Sequence, residues 1–179
     1  MIEIVALNLG TTNSMVIVLI GVSGSGKTTI GEALSKLTGW LFLDADDYHS
    51  PANIAKMAQG EPLTDRDRQP WLTTLEGVID TQIEQHQNTI LACSALKQAY
   101  RSQLAQANLA SVRFVYLKVA PELLEERLSQ RQGHFAKTNL LPSQLAELEE
   151  PTPSEATIVS VTEATTPEAI ATEIEALLK

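Results

Sequence analysis

One cysteine, Cys93, stands alone in 179 residues. No internal disulfide can form, so a scaffold stapled for export is not expected. Basic residues are also scarce: 13 lysines and arginines face 22 aspartates and glutamates, a formal net charge of −9. Duplex nucleic acid needs a basic face, so it is not an expected partner. No apolar run approaches the ~20 residues of a membrane span; the longest near the start, Met15 to Gly21, is strand-sized. The first basic residue is Lys27, and Glu3 occupies a position where a secretory leader needs positive charge. A cytoplasmic protein with no membrane partner is expected. The acidity also sets a condition. An anionic ligand must be held by a few local cations and backbone dipoles, not by the overall field.

What is present is a globular composition, 44% hydrophobic and 20% charged, long enough to bury a core. Strand and helix patterns alternate. Met15–Gly21, Trp40–Asp46, Thr89–Ala95, Arg113–Val119 and Thr157–Val161 read as strands. Helices are expected after Gly26 as far as Gly39, then over Pro51–Gln59, Asp67–His86, Lys97–Ala107, Pro121–Arg131 and Pro167–Leu178. This rhythm predicts an α/β fold, a five-stranded parallel sheet with helices on both faces. Residues 132–156 are polar and hold three prolines, so they read as a flap and connection with a short helical stretch near Ser143 to Glu149.

Two phosphate-binding patterns lie almost back to back. Leu9-Gly10-Thr11-Thr12-Asn13-Ser14 resembles the first phosphate loop of actin-like ATPases, but Asn8 stands where that loop has an acid, and no second loop follows. Residues 1–14 therefore read as an N-terminal extension or a start assigned too early, and 15–179 as one kinase domain. Gly21-Val22-Ser23-Gly24-Ser25-Gly26-Lys27-Thr28 fits the P-loop, with a strand before it and a helix after it. Its glycines let successive N–H groups point into one hollow, and the helix N-terminus adds partial positive charge. Lys27 is expected on the β and γ phosphates and the Thr28 hydroxyl on Mg²⁺.

Asp44-Ala45-Asp46-Asp47-Tyr48-His49 ends the second strand, where alternation would put Asp44 and Asp46 on one face. Two close carboxylates beside a P-loop suit Mg²⁺, and either could accept the proton of an attacking hydroxyl. His49 alone is equally a packing residue. Leu63 to Trp71 mixes charges before an amphipathic helix and, by itself, reads as a capped helix start. Arg127 and Arg131 share a helix face with no acid three or four positions away, so an external anion is a reasonable partner. Gly133-His134-Phe135 then suits a hinged flap. Strand three ends in Cys93-Ser94 without an aspartate, which moves metal binding toward Asp44; Cys93 itself reads as a buried small hydrophobe.

GVSGSGKTT (21–29), DADDYH (44–49), NIAKMAQGEPLTDRDRQPWL (53–72), CSALKQAYR (93–101), RLSQRQGHF (127–135) and LLPSQLAELEEP (140–151) occur in this order. Together they resemble the small P-loop gluconokinases. The resemblance implies a three-layer core like that of nucleoside monophosphate kinases, a substrate lobe near 49–72 and a lid near 131–145. It implies transfer from ATP, with Mg²⁺, to the 6-hydroxyl of D-gluconate, feeding the pentose phosphate pathway, and a homodimer. It puts Gly21, Ser23, Gly24, Ser25, Gly26, Lys27, Thr28, Thr29, Arg127 and Arg131 on ATP, and Thr28 and Asp44 on the metal. Asp46, His49, Arg68 and His134 fall to the sugar acid. Catalysis falls to Lys27, Asp44, Asp46 and Arg127. Another P-loop kinase, such as a shikimate or nucleotide kinase, shares the loop and the acid pair, and a substrate panel separates them. A regulatory ATP-binding protein is the reading from another class, and the intact Lys27 and Thr28 weigh against it.

Overall fold

The structure is a computed structural model and describes residues 14–130 and 135–177. The segment 1–14, apart from Ser14, lies outside the described residues, and so do Arg131 and His134. The elements follow the chain as β1 (Val16–Ile20), α1 (Lys27–Thr38), β2 (Leu41–Asp44), a 3₁₀ turn (Ala45–Tyr48), α2 (Pro51–Ala58), α3 (Asp65–Glu84), β3 (Thr89–Ala92), α4 (Gln98–Ala105), β4 (Val112–Val119), α5 (Pro121–Gln130), α6 (Phe135–Glu147), β5 (Thr157–Val161) and α7 (Pro167–Leu177).

All five strands are parallel, in the order β2-β3-β1-β4-β5. The central strand is β1, an unbroken apolar run buried along its whole length, as a parallel strand covered on both faces requires. Val16, Val18 and Ile20 pack against Trp71, Leu72, Leu75 and Ile79 of α3 and Leu104 of α4. Ile17 and Leu19 face Ile30 and Leu34 of α1 and Ile170 and Ile174 of α7. The three layers follow from this period-2 split. A smaller apolar cluster joins Val22 of the loop after β1, Leu96, Leu124 and Leu128 of α5, and Leu141 of α6. It sets α5 and α6 beside that loop.

Several expected boundaries change: β3 ends at Ala92 instead of Ala95, and three further differences bear on the site. The second strand stops at Asp44, and residues 45–48 wind into a 3₁₀ turn because the Asp44 carboxylate accepts the Asp46 N–H at 3.0 Å. The long helix starts at Asp65, not Asp67. A capping box holds it, with Thr64 Oγ1 accepting the Asp67 N–H and the Asp67 carboxylate accepting the Thr64 N–H. The expected flap carries a 13-residue helix, α6, where the sequence pattern predicts only a short helical stretch. Pro142 inside it and its polar composition hide the pattern, while buried Leu140 and Leu141 supply the packing.

Candidate active site

The turn between β1 and α1 is built to receive an anion. Gly24 (φ 85°) and Gly26 (φ 95°) take left-handed conformations that a side chain would strain. Neither a side-chain cap nor an acidic first turn closes the N-terminus of α1. By contrast, Ser50 caps α2 and Thr64 caps α3. The α1 N–H groups and their dipole are therefore left to a ligand. Lys27 Nζ donates to the carbonyls of Gly21 (2.8 Å) and Val22 (3.0 Å), so the ammonium rests on its own loop.

Thr28 Oγ1 donates to Asp44 Oδ2 at 3.0 Å. A hydroxyl from α1 and a carboxylate from the end of β2 thus converge beside the loop. These are hard oxygen donors of the kind Mg²⁺ takes, with phosphate and water completing its shell. Among the described residues no cluster of three or more acidic, histidine or cysteine side chains could hold a metal without such a ligand. Asp44 and Asp46 both line the cavity described below, although the turn, not strand alternation, brings them there. Trp71 fixes the turn from below, its Nε1 donating to Ala45 O at 2.8 Å. His49 stacks on Trp71, with ring centroids 4.5 Å apart. Burial pulls the His49 pKa below its ordinary value, and neighbouring Arg68 adds to the shift against an opposing pull from Asp46.

Arg68 sits at the start of α3 in a charge network. Its Nη2 lies 2.8 Å from Glu147 Oε2 on α6, and its Nη1 donates to the Tyr100 hydroxyl at 3.2 Å. Tyr100 in turn donates a short hydrogen bond to Asp65, and Lys97 Nζ meets the same Asp65 oxygen at 2.6 Å. Burial would lower the Arg68 pKa, but the bonds to Glu147 and Tyr100 outweigh it and raise it. The Arg68 side chain is 13% exposed and its guanidinium is tied on two sides, a preformed binder for a carboxylate or phosphate.

These groups line one cavity of about 580 Å³. Ser23, Gly24, Gly26, Lys27 and Thr28 of the phosphate loop line it together with Asp44 and Asp46, and so do His49, Arg68, Trp71 and Tyr100. Leu140, Ser143 and Gln144 of α6 make a further wall, and Ser23 N–H donates to Gln144 Oε1 at 2.7 Å. Gly21 and Ser25 of the loop and Thr29 in the first turn of α1 do not line the cavity. Arg127 lies in the last turn of α5, half-buried and also off the lining.

The AAA domain family matches residues 16–151. A gluconokinase from Gluconobacter oxydans is 45% identical over 135 residues, 75% of each chain. A probable gluconokinase from Xenopus tropicalis is 44% identical over 155 residues, 79% of this chain and 82% of the relative. The chain belongs to the gluconokinase family. A solved gluconokinase from Sinorhizobium meliloti superposes with a TM-score of 0.79 at 38% identity, covering 92% of this chain and 91% of that one. A shikimate kinase from Acinetobacter baumannii shares the fold at TM-score 0.56 and 22% identity. The gluconokinase motif LLPSQLAELEEP gains a physical meaning here. Glu147 holds Arg68, Glu149 accepts the Gln98 N–H at the start of α4 (2.6 Å), and Glu150 pairs with Lys118 (2.7 Å). Sequence reasoning missed Tyr100, Gln144 and Glu147 as site residues. The motifs containing them were visible, but nothing in the chain order said which side chains meet Arg68 or Ser23.

Proposed function

We propose that this protein transfers the γ-phosphoryl group of ATP to the 6-hydroxyl of D-gluconate. The observation that carries the reading is one cavity lined by both the phosphate loop and Arg68, in a chain of the gluconokinase family. The loop N–H groups and the α1 N-terminus bind the phosphates, and Lys27 leaves the Gly21 and Val22 carbonyls to join them. Thr28 and Asp44 would hold Mg²⁺, which when bound neutralises charge on the phosphates. Arg68 takes the sugar carboxylate, with His49 on its stacked platform beside it. Asp46, in the cavity wall, orients the hydroxyl and accepts its proton. Arg127 reaches the phosphates from α5; by the family resemblance Arg131 also serves ATP and His134 the sugar acid. The family resemblance supports a homodimer, which light scattering tests. A cytoplasmic location agrees with the finding that no helix among the described residues is long and apolar enough to cross a membrane.

The deciding assay is ADP release with ATP and Mg²⁺ against D-gluconate, shikimate, AMP and no acceptor. Turnover with gluconate alone is expected. Turnover with shikimate or AMP instead would move the acceptor assignment and leave the phosphate loop's role in place. Binding of ATP without turnover of any acceptor would favour the regulatory reading.

A further inference from the structure

α6 is fixed on one side and open on the other. Leu141 packs into the cluster with Val22, Leu96, Leu124 and Leu128, with Leu145 and Leu148 against it. Leu140, Ser143 and Gln144 line the cavity. Gln144 is half-buried there, and its Oε1 accepts the Ser23 N–H at 2.7 Å. That bond sets the amide's orientation, because a backbone N–H can only face the oxygen. The other end of the side chain, Nε2 with two N–H donors, has no hydrogen-bond acceptor among the described residues. A donor pair held in a cavity wall calls for an acceptor on the ligand.

The position says which acceptor. Gln144 meets the phosphate loop at Ser23, and one helical turn further along α6 Glu147 holds Arg68. The amide therefore stands between the phosphate end and the carboxylate-binding end. The phosphoryl group that faces the acceptor is the terminal one. We infer that Gln144 is a ligand-contacting residue whose Nε2 donates to an equatorial oxygen of the γ-phosphoryl group during transfer. This rests on the phosphoryl-transfer reading above. In that step the bond from the γ-phosphorus to the β,γ-bridging oxygen breaks and its electron pair stays with ADP. A bond forms from the γ-phosphorus to the acceptor hydroxyl oxygen, whose proton passes to a carboxylate. Charge spreads over the equatorial oxygens, where a fixed donor helps most.

Gln144→Glu keeps an oxygen for the Ser23 N–H and replaces the donor pair with a negative charge. Gln144→Met removes both. The measurements are calorimetric affinities for ADP and for a β,γ-imido analogue of ATP, with Mg²⁺, and kcat with the acceptor the wild type uses. For Gln144→Glu the imido analogue should weaken about tenfold or more while ADP changes less than about twofold, since like charges meet only at the γ position. In both variants kcat should fall about 100-fold, the size of effect seen when one transition-state donor is lost. Equal shifts for the two nucleotides would show a mere brace for the loop and overturn the inference. So would near-wild-type kcat in Gln144→Glu. Tighter analogue binding in Gln144→Met would overturn it too, because the glutamine would then be a placeholder that the nucleotide displaces. The binding arm needs no acceptor. Failure of the gluconate reading therefore appears in the wild-type assay alone and leaves the nucleotide comparison interpretable.

Discussion

The Lys27 ammonium sits on two carbonyls of its own loop, a contact with no large apolar component. Lys27→Ala should therefore cut kcat by about 100- to 1,000-fold, as loss of a transition-state charge contact does, with little change in melting temperature; ADP release and thermal melts check both. Arg68→Ala removes a charged hydrogen-bonding partner for the substrate carboxylate, worth about 1.5–3 kcal/mol. The KM for gluconate should rise about 10- to 100-fold while that for ATP holds, and an effect confined to ATP would sink the assignment. His49 makes a pH prediction. Its folded pKa lies below the ordinary 6.5, first because of burial. As pH falls, the unfolded chain therefore takes up a proton before the folded one does. Stability contributed by the neutral ring is complete above pH 6.5 and is lost as pH falls toward the depressed folded value. His49→Gln should flatten that decline in melts between neutral and mildly acidic pH. At this scale, the phosphate loop was legible because its chemistry is local, a run of eight residues with its own strand and helix. The environment of Arg68 was not, because Tyr100 and Glu147 lie 32 and 79 positions further along the chain.

Among the elements, α1 and β2 meet at a point where no side chain fits. A Cβ added to Gly31 would lie 2.4 Å from Phe42 Cε2 and 3.3 Å from Leu19 Cδ1. Gly31→Ala should destabilise the protein by about 1–3 kcal/mol, the range for overpacking, and chemical denaturation measures it. Because β2 ends in Asp44, whose carboxylate meets Thr28 of α1, the same substitution should also raise the Mg²⁺ requirement. The strands were readable in the sequence because each is a short stretch dominated by apolar residues, and β1, β3 and β4 are largely buried. α6 was not, because its helical signal is a tertiary one. Leu141 is buried against Val22, Leu96, Leu124 and Leu128, which come from other parts of the chain. The end of β2 was misread for a local reason, a side-chain cap that turns the backbone two residues early.

For the molecule as a whole, a net charge of −9 must coexist with anionic ligands. The site manages this with fixed dipoles and a few tied cations, so binding should show up as added stability. ATP at about 100 times its Kd should contribute about 2.7 kcal/mol, which for a chain of this size raises the melting temperature by about 2–4 °C per kcal/mol. Differential scanning calorimetry with and without ATP and Mg²⁺ reads this directly, and an unchanged transition would argue against nucleotide binding. The stretch from Glu147 to Glu150 has a different consequence. Its carboxylates reach α3, the start of α4 and β4 in turn, and the Glu149 N–H also donates to Leu96 O at 3.0 Å. Surface connections usually accept length changes between relatives. Here a single inserted or deleted residue would hand every carboxylate to the wrong neighbour at once, so this segment should diverge by substitution and keep its length.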